Sequence, residues 1–207
     1  MEESQDFATL SVTPSRADSV AARLAIALLV PALAVVLHEL GHYLSHVAFG
    51  YSNVSLSFSE VSIGAAPSGI NPRVADGVSF AAGTAISLSL TLVALCRRVS
   101  SALAAALVGF ELLRASMGAG FAVAGKGFRA LWGGVGELRY VATAFEWPST
   151  VGALFGLIEL GVPLVVAAVL VRRVPTGQRL RVIFPAVSGS IAGLALWLLV
   201  VGPVLLP

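Results

Sequence analysis

Five long apolar stretches dominate this chain, at about 21–49, 78–96, 101–124, 151–171 and 182–206. A helix needs about 20 apolar residues to cross the ~30 Å hydrocarbon core of a bilayer. The pattern therefore predicts an all-α polytopic membrane protein with about five transmembrane helices. Residues 1–20 are a polar tail, with Glu2, Glu3 and Asp6 where a secretory leader would carry basic residues. The first span is expected to be retained, and residues 21–207 to form a single transmembrane domain.

Two connecting stretches break the pattern. After the first span, Val54, Leu56 and Phe58 alternate with serines. This period of two marks a half-buried strand. Gly64, Pro67, Gly69 and Pro72 then interrupt the chain, so a short β-hairpin or single strand is expected at the membrane surface. The second stretch, 126–147, mixes Lys126, Arg129, Trp132, Glu137, Arg139, Tyr140, Glu146 and Trp147 with apolar residues. Tryptophan and tyrosine favour the headgroup level, which suits an interfacial or re-entrant segment. Gly133, Gly134 and Gly136 precede Glu137, and 138–145 reads as a short helix.

Composition narrows the class. Of the 207 residues 57% are hydrophobic and 12% are charged, about half the charged share of a soluble domain. The net charge of +2 is small, and the basic residues fall in short loops. They report topology and give no sign of nucleic acid binding. Arg16, Arg23, Arg97, Arg98, Arg172, Arg173, Arg179 and Arg181 lie on one side of the predicted spans, against Arg73, Lys126, Arg129 and Arg139 on the other. The positive-inside rule places the N-terminus in the cytoplasm and the C-terminus outside. Cys96 is the one cysteine. It excludes an intrachain disulfide and a cysteine-based zinc site, and reads as a small apolar residue at a helix end.

The chemistry concentrates at His38-Glu39-Leu40-Gly41-His42, inside the first apolar stretch. Histidines four apart share one helix face, with Cβ atoms about 5–6 Å apart, so both imidazoles can reach one metal ion. Glu39, one step round, is placed to act as general base on a metal-bound water. Ionisable groups at membrane depth cost several kcal/mol and are kept where they bind, pair or react. A hydrolytic zinc site needs a third protein ligand and an open position. His46 does not suit, because an unbroken helix carries it ~12 Å from His38. A role beside the site, or at the membrane interface, suits it better.

The third ligand then comes from among Glu137, Glu111, Asp76, Glu146 and Glu159. Glu137 is the first choice, because it follows the glycine cluster, opens a short helix and lies on the same side of the membrane as the histidines. Glu111 is the alternative, with Arg114 three residues on as a partner for a buried ion pair. Asp76 is a further alternative, and would equally cap the second span ahead of Gly77. Glu159, alone in the fourth span, reads as a neutral acid hydrogen-bonded between helices.

On these residues the chain resembles the site-2 protease family of intramembrane zinc metalloproteases. His-Glu-Leu-Gly-His-Tyr-Leu at 38–44 is similar to its metal-binding segment, and the exit at 49–51 with the strand at 54–63 resembles the β-element that follows. Ala-Gly-Thr-Ala-Ile-Ser at 82–87 is similar to the family's Ala-Gly-Pro-x-x-Asn stretch, with Thr84 and Ser87 replacing proline and asparagine. The family's third ligand is an aspartate in an Asn-Pro…Asp-Gly segment after that stretch. Here Asn71, Pro72, Asp76 and Gly77 precede it, and 134–141 offers Glu137 instead. No inserted recognition domain is evident.

The resemblance implies cleavage of peptide bonds in membrane-spanning or membrane-adjacent substrates, with Zn2+ as cofactor, Glu39 catalytic, and His38, His42 and a carboxylate as ligands. The expected setting is a prokaryotic cell membrane. It favours an active site opening to the cytoplasm, the reverse of the arginine distribution. Val54, Leu56 and Phe58 are expected to hold an unwound substrate by edge pairing. The competing reading is a catalytically silent chaperone or assembly factor of the same fold that binds partner helices.

Overall fold

The computed structural model describes residues 20–58, 60–96, 99–126 and 137–206, and for residues 20 and 117–126 the backbone alone. Arg16, Arg97, Arg98, Arg129, Trp132 and the glycines at 133, 134 and 136 lie outside the described residues. The fold is an all-α polytopic membrane protein. Among the described residues four segments are long and apolar enough to cross a bilayer: Ala21–Ala48, Pro72–Val93, Ser149–Arg173 and Thr176–Leu205. The helices are α1 (Val20–Ala48), α2 (Pro72–Val93), α3 (Ser101–Lys126), α4 (Leu138–Ala144), α5 (Ser149–Arg173), α6 (Arg179–Leu196) and a last turn α7 (Gly202–Leu205). The expected third span corresponds to α3, which packs against α1, α5 and α6.

The distribution of side chains is that of a protein dissolved in lipid. Leu29, Leu157, Leu199 and Val204 are 68–78% exposed. Thr84, Ser87, Thr91 and Glu111 are wholly buried. In water this arrangement would leave a large apolar surface and desolvated polar groups. In hydrocarbon the outward apolar faces carry no penalty, and the inward polar groups bond to one another.

Element boundaries follow from local chemistry. α1 ends in a glycine cap: Gly50 has φ +78°, its N–H reaches the Val47 carbonyl at 2.9 Å, and Tyr51 N–H reaches the His46 carbonyl at 3.1 Å. These are the paired bonds that close a helix through a left-handed residue. α2 begins at Pro72, six residues before the apolar pattern suggests. Asn71 caps it, its Oδ1 accepting from Arg73 N–H at 3.0 Å, and Pro72 occupies the first turn. Asp76 therefore lies inside the helix and does not cap it, because a better cap stands five residues earlier.

The expected strand is a hairpin of two very short strands, β1 (Ser55–Leu56) and β2 (Val61–Ser62), antiparallel with Leu56 opposite Val61. The two strands are joined where Ser57 N–H donates to the Glu60 carbonyl at 2.9 Å. The glycines and prolines at 64–72 instead make the connection to α2. The hairpin is tied to the end of the chain. Phe58 N–H donates to the Leu206 carbonyl at 3.2 Å, and Trp197 Nε1–H donates to the Phe58 carbonyl at 2.9 Å. Trp197 opens a π-helical turn, Trp197–Val201.

α1 is the central helix, in contact with α2, α3 and α6. Small residues make the contacts close. Gly41 of α1 meets Gly83 of α2, where a Cβ on Gly41 would sit 2.9 Å from the Gly83 Cα. Gly189 and Gly193 of α6 lie against Ala27 and Leu28 of α1. Close backbone approach supplies much of the packing between helices in lipid, where no hydrophobic drive acts.

Gly193→Ala would drive its Cβ into the Leu28 carbonyl, and overpacking of this kind costs about 1–3 kcal/mol. Thermal unfolding in detergent should show a clear fall in Tm. Gly161→Ala, with open space around it, should show none. Equal behaviour of the two variants would refute the packing of α6 on α1.

Candidate metal centre

The helical spacing of His38 and His42 brings their Nε2 atoms to 3.2 Å, with the rings edge to face. Glu137 completes a triangle: its Oε1 lies 2.8 Å from His38 Nε2 and 3.7 Å from His42 Nε2. Two ligands at ~2.0–2.1 Å from a tetrahedral metal lie about 3.3 Å apart. The three edges bracket that value, and the donor atoms form the one group of this kind among the described residues. The His38-His42-Glu137 group could therefore hold a metal ion.

The other ring nitrogens are occupied. His38 Nδ1 bonds to Ser87 Oγ at 2.8 Å, and His42 Nδ1 lies 2.9 Å from the Ser79 carbonyl. A carbonyl only accepts, so His42 Nδ1 carries the proton and Nε2 presents its lone pair to the centre. All the partners come from one face of α2, where Ser79, Gly83, Thr84 and Ser87 are buried. Gly83 is required here, since a Cβ would lie 2.5 Å from the His42 ring. Thr84 Oγ1–H donates to Glu137 Oε2 at 2.9 Å. The substituted stretch at 82–87 thus supplies the contacts that orient two of the three donors.

Glu137 reaches the histidines because its own helix is capped by another residue. It precedes α4 yet makes no side-chain cap. The carboxylate of Glu159, on α5, accepts from Glu137 N–H at 3.4 Å and Leu138 N–H at 3.2 Å. Arg114 binds the assembly together. Its Nε lies 3.1 Å from Glu111 Oε2, its Nη1 2.8 Å from Glu159 Oε1, and the same Nη1 3.8 Å from Glu137 Oε2. Burial by itself would push the Glu137 carboxyl up, but the hydrogen bond to His38 and the charge of Arg114 outweigh it. They hold the group well below the usual carboxylate range.

The charges test the fit. Three carboxyl groups and one guanidinium meet in this mostly buried cluster, which leaves an excess of acidic groups over fixed positive charge. A divalent cation on the histidines and Glu137 would neutralise it, and uncompensated buried charge is strongly unfavourable. The residues present fit such an ion.

The remaining candidates fall elsewhere. Glu111 is wholly buried in its pair with Arg114, as its spacing suggested. Glu159 bonds between helices as expected, but it is not alone: it lies 2.8 Å from Arg114 Nη1 and accepts from the N–H groups of Glu137 and Leu138. Glu146 pairs with Arg73 at 3.1 Å on the exposed surface. His46 stands outside the donor group, packed on Tyr51 with ring centroids 4.9 Å apart. Asp76 also stands outside the donor group. It lines a cavity of about 400 Å³ together with Glu39, His42, His46, Glu60, Val61, Ile63, Ser79, Phe80 and Glu137. The hairpin residues on this cavity, Val61 and Ile63, follow the turn. Val54, Leu56 and Phe58 do not line it, and both backbone polar groups of Phe58 are bonded to the C-terminal segment. Arg114 and Glu159 as organisers of Glu137 were not foreseen. Their signal was the rarity of ionisable groups in apolar spans.

No family model, curated protein or solved structure matches this chain.

Metal analysis after purification should find one ion per chain in the wild type. Loss of the hydrogen bond that orients His38, in Ser87→Ala, should weaken binding about 10–100-fold. Gly83→Ala should weaken it by displacing His42, and Glu137→Ala by removing a donor. Asp76→Ala should retain the metal. Metal loss in Asp76→Ala with retention in Glu137→Ala would reverse the assignment.

Proposed function

We propose that this protein is an intramembrane zinc metalloprotease of the site-2 protease type, acting on membrane-spanning or membrane-adjacent polypeptides. The observation that carries the reading is the placement of Glu39 on one cavity with His42 and Glu137, two members of the three-donor group. A purely structural metal needs no carboxylate beside it on an open cavity.

Zinc held by His38, His42 and Glu137 would polarise a scissile carbonyl and lower the pKa of its water toward ~7. The chain's own residues do the rest. Glu39 takes a proton as water adds to the carbonyl carbon, and returns it to the nitrogen as the C–N bond breaks. Ser87 and the Ser79 carbonyl keep both Nε2 atoms directed at the centre. Thr84 and Arg114 hold the outer oxygen of Glu137. A substrate helix must unwind to present a carbonyl, and its freed backbone groups then need partners in lipid. Among the described residues no third strand covers the edges of the two-stranded hairpin, and β2, with Val61 on the cavity, can pair with the extended segment.

Purified protein should cleave a single-span substrate in detergent. Glu39→Gln should lower the rate by about 10²–10⁴, the usual worth of a general base, while its zinc content stays at the wild-type level. Cleavage by Glu39→Gln at the wild-type rate would sink the catalytic assignment. Absence of cleavage by the wild type with intact zinc, alongside stable capture of partner spans, would favour the chaperone reading.

A further inference from the structure

A second cavity, of about 490 Å³, lies between α3, α5 and α6. It shares no lining residue with the cavity at the metal centre. Its walls are apolar and small-chained, among them Ala104, Ala105, Val108, Leu112, Ala167 and Ala186. Along α3 it extends from Ser101 to Leu112, about 16 Å at 1.5 Å per residue. That is one leaflet of a ~30 Å hydrocarbon core. The groove is thus about as long as one leaflet is thick.

The surface end of the groove is cationic. Arg173 lines it, with one guanidinium nitrogen donating to the Leu95 carbonyl at 2.8 Å. That bond fixes the side chain and leaves other N–H groups of the fork available. Arg172, Arg179 and Arg181 sit in the same end of α5 and α6, and Arg179 Nε–H donates to the Val174 carbonyl at 3.2 Å. None of the four is in a salt bridge with a carboxylate among the described residues. A one-leaflet apolar slot below fixed guanidinium groups matches one ligand chemistry. The acyl chain of a phospholipid fills the slot, and its anionic headgroup meets the arginines.

We propose that the α3–α5–α6 groove is a binding site for an anionic phospholipid, with one acyl chain in the slot and the phosphate on Arg173. The site is independent of the metal centre. A lipid there would tie three helices together at the end remote from the hairpin, on the side where the positive-inside rule places the anionic leaflet.

Native mass spectrometry of the full chain in detergent tests this, with phosphatidylglycerol and phosphatidylcholine of identical acyl chains as the probes. Wild type should retain phosphatidylglycerol at least fivefold more strongly. A basic residue near the membrane surface is worth about fivefold for an anionic lipid. Arg173→Gln should therefore lose about that factor for phosphatidylglycerol and less for phosphatidylcholine, whose choline cation offsets the phosphate charge, and Arg173→Lys should recover most of it. Ala105→Phe, which fills the slot, should weaken retention of both lipids while the zinc content stays unchanged. Equal retention of the two lipids by the wild type would overturn the proposal. So would an Arg173→Gln variant with full preference, or Ala105→Phe changing oligomeric state and not lipid retention, since a second copy of the chain would then be the occupant.

Discussion

Arg114 sits among three carboxylates inside an apolar bundle, and the geometry of the candidate site follows from how that charge is arranged. Glu111 and Glu159 receive its direct hydrogen bonds, and Glu137 lies at 3.8 Å. Charges in so apolar a setting persist when each is paired and hydrogen-bonded. Glu159 is held by Arg114 and caps α4 in turn. With its N–H groups satisfied from α5, α4 leaves the Glu137 side chain unused at its own terminus, directed at the histidines. One ionic contact thus decides where the third donor stands, although Arg114 reaches neither histidine.

The histidines depend on a different constraint, the thinness of α2 at its contact with α1. Gly41 against Gly83 brings the backbones together, and the space above Gly83 is filled by the His42 ring. The neighbouring positions are small and hydroxylated. In lipid such residues serve two needs at once, since they allow close packing and satisfy polar groups that have no water. Here the polar groups they satisfy are the Nδ1 atoms, so packing and ligand orientation are one property of the interface. A larger residue at 83 would disturb both.

The two ends of the bundle are chemically distinct. The hairpin end carries the donors, Glu39 and the strand edge, and is fastened by Phe58 to the last turns of the chain. The opposite end carries arginines that meet no carboxylate among the described residues, above an apolar slot. Helix surfaces between them are apolar outward and polar inward. The proposed protease and lipid site therefore occupy separate regions of one bundle, joined through α3, α5 and α6.

Much of this was legible in the chain. Apolar runs of bilayer length establish spans regardless of context, because hydrocarbon thickness is an external ruler. Histidines at i and i+4 must share a face, because the helical repeat is local. Glu137 could be preferred but not separated from Glu111 or Asp76, since a contact across 99 residues leaves no mark in local periodicity. The hairpin was recognisable from its alternation, yet its turn was misplaced: a turn held by Ser57 and Glu60 needs neither glycine nor proline. The cap of α2 at Asn71 was missed because apolar content rises only after the helix has begun. By itself, then, the sequence determined the membrane class, the first two donors and the carboxylate beside them, all properties of composition or of one helical turn. Only the tertiary structure decided the third donor, the hydroxyls that orient the histidines and the ion cluster behind them. These are contacts between helices, set by backbone approach and charge compensation rather than by any repeat in the chain.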